Sequence, residues 1–259
     1  MAAGRVLIWL ASAAGLALLA RSWFIGPVPL TVALAALAGY VLLATAGVLF
    51  PQLEMYGDVL WRGSSSSSGV ALTFDDGPHP TTTRRILALL AERRAIATFF
   101  VVGEKVERYP DVVRELVAAG HQVGLHGFLH ERLYAFKTPK QVERDIRRTQ
   151  EAVERTVGIR PTWFRPPLGH VSPRTAVGAR RAGVDLVAWS ARGLDGVPSA
   201  EAERVARRLE RRLRPGAIIM LHDASEREDF VPASVEALPK VLDAIERKGL
   251  RVVSLDSMV

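Results

Sequence analysis

The sequence contains no cysteine, and this absence narrows the chemistry that is open to the chain. Disulfides and thiolate metal sites are excluded, so a bound metal must be held by histidine and carboxylate side chains. Aromatic residues make up 7% of the chain, and no basic stretch is interleaved with them, which argues against nucleic-acid binding. The net charge of +7 indicates a solvated basic surface, with an anionic leaflet or an anionic polymer as possible partners.

Charged residues are also missing from Ser22 to Phe50. Within this stretch, residues 29–50 would form a helix of roughly 33 Å at about 1.5 Å per residue, which matches a hydrocarbon core of about 30 Å. Residues 6–20 are equally apolar but reach only about 22 Å, so they predict either a short first span or a signal-like segment. The sequence therefore predicts a membrane anchor over residues 1–62, with one or two spans.

The orientation of the anchor stays open, because Arg5 and Arg21 give the positive-inside rule almost no bias. Two spans from a cytoplasmic N-terminus would leave the enzyme inside the cell, whereas a single span would leave it outside. We expect a bacterial-type inner or plasma membrane location with an extracytoplasmic catalytic domain. Serine and glycine residues at 63–69 predict a flexible linker, and residues 70–259 a catalytic domain.

Beyond the linker, short apolar runs alternate with segments of helical periodicity. Strands are predicted at 70–74, 97–102, 122–125, 185–190, 217–221 and 252–255, and helices at 83–93, 111–119, 139–157, 173–182, 200–213 and 234–248. This alternation predicts a parallel sheet or a closed barrel. Nearly every polar motif follows directly on a predicted strand. Because catalytic groups of α/β barrels come from the C-terminal ends of several strands, the motifs predict one shared site.

Two pairs of residues suggest a metal site. Asp75 and Asp76 end the first strand of the domain, and neighbouring strand residues point to opposite faces, so one can bind a metal while the other acts as a base. His126 and His130 are four residues apart, a spacing that places two imidazoles on one face of a helix or tight turn. Gly127 stands where zincin metalloproteases carry glutamate, which argues against a protease. Each pair alone is also typical of turns or surface residues.

Two further motifs supply a cation and an acid. Arg165 begins the stiff segment 165–169, whose two prolines could hold the arginine against a carboxylate and turn the N–H of Leu168 toward an oxyanion. His222 follows a predicted strand and could act as a general acid, with Asp195 or Asp223 fixing its tautomer. The ordered set of motifs, rather than any single one, indicates a hydrolytic metal site.

This set resembles the motifs of the polysaccharide deacetylase family, also called the NodB homology domain or carbohydrate esterase family 4, over residues 70–255. The resemblance implies an α/β fold, a distorted (β/α) barrel, with one divalent metal ion, usually zinc. It implies three metal ligands: Asp76, His126 and His130. It implies four catalytic residues: Asp75 as general base, Arg165 as the partner that tunes it, His222 as general acid and Asp195 as its buttress. It places three residues at the acetyl group: Leu168, through its N–H, with Trp189 and Leu221 lining the pocket.

The implied reaction is the metal-dependent removal of N-acetyl groups from an amino-sugar polymer or a lipid-linked glycan. The alternatives are an O-acetyl ester hydrolase and a membrane-tethered glycan-binding module without activity. Three departures from the family pattern concern the pocket and its rim: Gly127 with Glu131, Leu168 in place of a frequent aromatic residue, and Gly196 in place of tryptophan. The expected partners are an N-acetylated glycan and the membrane, with no nucleic acid and no obligate protein partner.

Overall fold

Nine strands and nine α-helices are formed by residues 2–64 and 69–259, the part of the chain that this computed structural model describes. The strands are β1 Val59–Leu60, β2 Gly69–Asp75, β3 Thr98–Val101, β4 Gln122–Leu125, β5 Trp163–Phe164, β6 Asp185–Val187, β7 Ala191–Arg192, β8 Ile218–His222 and β9 Arg251–Val253. The helices are α1 Ala3–Phe24, α2 Leu30–Leu49, α3 Thr82–Glu92, α4 Gly103–Arg108, α5 Pro110–Ala118, α6 Pro139–Val157, α7 Pro173–Ala182, α8 Ala202–Glu210 and α9 Ser234–Arg247.

The strands form one curled sheet in the order β1-β6-β5-β4-β3-β2-β8-β7, with β9 also paired to β2. Every ladder between these strands is parallel. The carboxyl ends of the strands therefore meet at one edge. Across the ladder between β2 and β8, Asp75 is the direct partner of His222, so two of the predicted catalytic residues are neighbours.

The central strand β2 is buried along its whole length, as expected for a parallel strand covered on both faces. Phe74 stacks on Phe99 of β3 with 5.1 Å between ring centroids. Outside the sheet, α6 begins at a capping box formed by Thr138 and Gln141 and ends at Gly158, whose left-handed conformation stops the helix. These local signals explain why α6 has the predicted bounds.

The sheet begins earlier than the sequence pattern indicates. Strand β1 lies within residues 1–62, the predicted anchor, yet it pairs with β6. Residues 65–68 of the predicted linker lie outside the described part of the chain. The division into anchor, linker and catalytic domain accordingly remains a prediction. It differs from the structure at residues 59–60, which the sequence pattern assigns to the anchor but which belong to the sheet. Helix α4 and the two-residue strands β5 and β7 are further elements that the sequence analysis does not predict.

Helices α1 and α2 are long and apolar enough to cross a membrane, and Gly47 alone among their residues is buried. They form a hairpin, because Gly4 at the start of α1 lies against Leu53, just beyond α2. Residues 48–52, at the end of α2 and just beyond it, form the exit of this hairpin. They make two hydrogen bonds to loops of the catalytic domain. The backbone oxygen of Val48 accepts a hydrogen bond from the N–H of Val171, and Nε2 of Gln52 donates to the backbone oxygen of Trp189.

Candidate active site

A buried ion pair joins the first and third motifs. Asp75, at the end of β2, accepts a 2.6 Å hydrogen bond at Oδ1 from Nη1 of Arg165. The arginine side chain is completely buried, and its Nη2 donates to the backbone oxygen of Ala188. Burial lowers the pKa of Arg165, but the carboxylate of Asp75 opposes this effect. Two charges in such a dry position stabilise each other, so the guanidinium fixes the orientation of the carboxylate.

The neighbouring carboxylate turns away from this pair. Asp76 has a φ of 74°, in the left-handed region that non-glycine residues seldom adopt. The turn directs its Oδ1 to within 3.3 Å of Nε2 of His126 and 3.2 Å of Nε2 of His130. His130 also has a positive φ, 49°. Strained backbone of this kind is concentrated at functional sites, where the surrounding structure enforces it.

These three side chains fit a divalent metal ion. They are buried, and their candidate ligand atoms all lie within 4.8 Å of one another. Oδ1 of Asp76 is buried without a hydrogen-bond partner in the described residues, an orphan that a cation would satisfy. Burial alone raises the pKa of Asp76, but the neighbouring His126, His222 and His130 hold it well below its ordinary value. Burial and the neighbouring His126 lower the pKa of His130, which favours the neutral ligand form.

Groups behind the histidines orient them. Nδ1 of His126 lies 2.7 Å from the backbone oxygen of Arg165, which leaves Nε2 free to face inward. The loop between the two histidines is held by Asp145 of α6, which accepts the N–H of Phe128 and the hydroxyl of Tyr134. Gly127 has a φ of 80°, so the departure from the family pattern at this position coincides with a left-handed turn.

The predicted acid and its buttress are also in contact. Nδ1 of His222 lies 3.2 Å from Oδ1 of Asp195, and the other oxygen of Asp195 accepts the backbone N–H of His222. Burial lowers the pKa of His222, but Asp195, followed by Asp76 and Asp75, raises it to about 10. The sequence left Asp195 and Asp223 open as partners of this histidine, and the structure brings Asp195 to it. Asp223 instead accepts a hydrogen bond from Thr83.

The comparisons with known proteins agree with this geometry. The family model for polysaccharide deacetylases matches residues 62–187. Over 214 residues the chain is 32% identical to a peptidoglycan-N-acetylglucosamine deacetylase of Bacillus cereus, covering 82% of this chain and 98% of that relative. The chain belongs to the polysaccharide deacetylase family. A chitooligosaccharide deacetylase of Bradyrhizobium sp. is 31% identical over 219 residues, covering 81% of this chain and 97% of the relative.

The fold of this polysaccharide deacetylase matches solved structures as well. The Bc1960 peptidoglycan N-acetylglucosamine deacetylase superposes with a TM-score of 0.72 at 30% identity, covering 81% of this chain and 95% of that chain. The predicted family, the distorted (β/α) barrel and the hydrolase class are thereby confirmed. The family depends on a divalent metal, in agreement with the aspartate and two histidines.

The residues predicted to line the acetyl pocket differ in their surroundings. Leu168 is 45% exposed on a turn with a φ of 59°, and the hydrogen bonds that close this turn come from Gly169 and His170 rather than from Leu168. The ring of Trp189 lies directly against Gly169. Leu221 is completely buried beneath His222. Their roles at the substrate remain predictions for this polysaccharide deacetylase.

Several residues of the site escape the sequence analysis. Thr73 accepts a second hydrogen bond from Nη1 of Arg165, and Glu226 lies 3.8 Å from Nδ1 of His130 while it pairs with Arg132. Thr73 stands in the first motif, two residues before Asp75, and strand alternation places it on the same face, which is a signal that could have found it. No local pattern marks Glu226, because only the folded loop after β8 brings it near the metal ligands.

Proposed function

We propose that this enzyme removes N-acetyl groups from an amino-sugar glycan at a membrane, with Asp75 as base and His222 as acid. The observation that supports these roles is the arrangement of two acid–base pairs around one set of metal ligands. Asp75 pairs with Arg165 and His222 pairs with Asp195, while the charges of both adjacent aspartates act on His222. A bound divalent ion would polarise the acetyl carbonyl and acidify a water molecule at this site.

Asp75 is suited to accept the proton of the attacking water. Arg165 occupies only its Oδ1, and the hydrogen bonds of the described residues leave Oδ2 available. Because the guanidinium is itself held by Thr73 and Ala188, the carboxylate stays in position as it takes the proton. The N–H of Leu168 is the proposed donor to the oxyanion, and removal of one such donor costs roughly 3–4 kcal/mol of activation free energy.

His222 is suited to protonate the leaving amine of the sugar. Asp195 binds its Nδ1 and its backbone N–H together, so Nε2 remains to face the substrate. The side chain is 19% exposed, which gives the leaving group access, whereas Asp195 is completely buried. The raised pKa keeps the imidazolium, and therefore the transferable proton, present at neutral pH.

Zinc is the proposed ion. Four ligands at about 2.0–2.1 Å in a tetrahedron lie about 3.3 Å apart. The separations of 3.3 and 3.2 Å between Oδ1 of Asp76 and the two imidazole nitrogens agree with this spacing. Asp76, His126 and His130 would hold the ion, which would supply a Lewis acid for the acetyl carbonyl and for a water molecule.

The proposed location is a bacterial-type membrane, with α1 and α2 as the anchor and the catalytic domain outside the cytoplasm. Relatives are named for peptidoglycan and chitooligosaccharides, so N-acetylglucosamine polymers are the proposed substrates. Because α1 and α2 form a hairpin, the catalytic domain would lie on the same side of the membrane as the N-terminus. Protease digestion of the catalytic domain in intact spheroplasts would support its proposed location outside the cytoplasm. Protection of the domain in intact spheroplasts would refute that location.

Acetate release by the full-length protein in nanodiscs tests the activity. Chelated protein should release no acetate from N-acetylglucosamine oligomers, and zinc should restore release. Asp75→Asn and His222→Ala should each abolish it while zinc binding persists, and near-wild-type turnover in either variant would refute the assigned role. Acetylated xylan in parallel distinguishes an O-acetyl ester hydrolase. Tight glycan binding without any acetate release would favour the inactive binding module.

A further inference from the structure

Helix α8 carries a continuous face of arginines. They occupy positions i, i+3, i+4, i+7 and i+8 of the helix and its C-terminal turn, and line a cleft of about 330 Å³: Arg204, Arg207, Arg208, Arg211 and Arg212. We call this set the arginine face. Val205 and Leu209 lie on the opposite side of the helix and are buried in the core. The sequence of α8 is therefore amphipathic, with charge of one sign on its outer side.

Most of this positive charge has no acidic partner. Arg204 pairs with Glu201 at 3.1 Å, and Arg207 approaches Glu203 only to 3.9 Å. Among the described residues, no carboxylate lies within ion-pair distance of the other three members of the arginine face. Like charges in such density repel one another, so a cluster without counter-charges is costly unless an anionic partner neutralises it.

The arginine face is continuous with the exit of the α1–α2 hairpin. A second cleft, of about 420 Å³, shares Arg208 and Arg212 with the first and adds Arg192 and Arg214. Its remaining walls include Gln52 and Trp61. Gln52 is three residues beyond the end of α2, so this cleft opens where the chain would leave the membrane. Tryptophan is enriched at that depth of a bilayer, where its ring lies among the headgroups.

We propose that the arginine face binds the anionic phospholipid headgroups of the leaflet from which the hairpin emerges. This inference rests on the proposed membrane anchoring, but not on the proposed deacetylation. Clusters of four to eight basic residues on an amphipathic helix are typical of contacts with anionic lipids. The planar guanidinium group donates two parallel hydrogen bonds to a phosphate, which suits arginine to this partner. The contact would hold the catalytic domain against the bilayer in one orientation.

A single fluorophore can measure this contact. The chain lacks cysteine, so Pro215→Cys, on the exposed turn after Arg214, introduces one labelling site. Energy transfer from this label to an acceptor on lipid headgroups is measured with the full-length protein in nanodiscs. One set of discs contains phosphatidylcholine alone, and the other also contains phosphatidylglycerol. Arg208→Gln/Arg212→Gln removes two charges from the arginine face. Arg85→Gln/Arg94→Gln, on and just after α3, removes two exposed charges for which the described residues offer no ion-pair partner, and it is the matched control.

We expect higher transfer in the anionic discs and a decrease as salt shortens the Debye length from about 10 Å at 0.1 M to about 3 Å at 1 M. Arg208→Gln/Arg212→Gln should lower the transfer to the value in neutral discs, and the control should leave it unchanged. Equal transfer in both kinds of disc, or equal effects of the two double variants, would overturn the proposal. Binding to heparin, a soluble anionic polymer, is measured in parallel. If Arg208→Gln/Arg212→Gln keeps its response to anionic lipid but loses binding to heparin, the proposal is also overturned, because the arginine face would then bind a polymer rather than the membrane.

Two readouts separate this contact from the proposed function. Acetate release from soluble N-acetylglucosamine oligomers should be unchanged in Arg208→Gln/Arg212→Gln, because the hydrogen bonds and ion pairs of the catalytic residues involve neither arginine. A wild-type chain that releases no acetate but responds to anionic lipid would refute deacetylation and support the contact. A chain that fails to co-elute with the discs would refute the anchor and, with it, the contact.

Discussion

Replacing Asp195 with asparagine should change the pH dependence of the reaction more than its maximum. In the native enzyme, Asp195 gives the largest of the contributions that raise the pKa of His222 to about 10, against the opposing effect of burial. A raised pKa means that the acid form is lost only as pH increases through that value. At pH 8 about 99% of His222 would carry its proton, compared with about 3% at an ordinary pKa of about 6.5.

The expected loss of kcat/KM is therefore about 30-fold at pH 8 and less than about twofold at pH 6, as the pKa of His222 moves toward its ordinary value. The alkaline limb of the pH–rate profile should shift to lower pH. Asp243→Asn, which removes an exposed carboxylate that pairs with Arg93, is the control and should leave the profile unchanged. A loss of equal size at pH 6 and pH 8, with the alkaline limb unmoved, would refute the reasoning.

Three further results are expected. Chelation should abolish activity and lower Tm in calorimetry, because an ion at about 1,000 times its Kd contributes about 4 kcal/mol, whereas His126→Ala should show no response to zinc. Arg165→Met should cost about 3–5 kcal/mol in urea unfolding, since it leaves a buried carboxylate unpaired, and a cost below about 1 kcal/mol would contradict that pairing. Gly169→Ala should raise KM and destabilise the fold more than Gly158→Ala, since both have a φ of 71° but only at Gly169 would the added Cβ meet Trp189, at 2.3 Å. Equal effects of the two glycine variants would count against the contact.

Helices with complete start and stop signals could be predicted from the sequence with their bounds. Helix α7 follows the N-cap Ser172 and ends before Gly183, as α6 does between Thr138 and Gly158. The two-residue strand β1 could not be predicted, because alternation needs several residues to be visible. Its place in the sheet depends on pairing with β6, which is more than a hundred residues away in the sequence.

The same holds for the active site: motifs within a few residues could be predicted from the sequence, whereas contacts between segments far apart in the sequence could not. Motifs marked the acids, the histidines and Arg165, because each follows a strand and carries chemistry in its own few residues. The residues alone left both Asp195 and Asp223 open as partner of His222, and only the family resemblance implied Asp195, since the choice depends on how the loop after β7 approaches the end of β8.

Strand β1 precedes the serine run in the chain, and β2 follows it. The run therefore connects two strands of one sheet, rather than a membrane anchor and a separate catalytic domain. The distance between the hairpin and the catalytic pocket is then set by rigid parts: the pairing of β1 with β6 and the hydrogen bonds of Val48 and Gln52 to the loops around the pocket. With the proposed anchoring of α1 and α2 in a membrane, the pocket would reach only those sugar units that lie at one height above the bilayer.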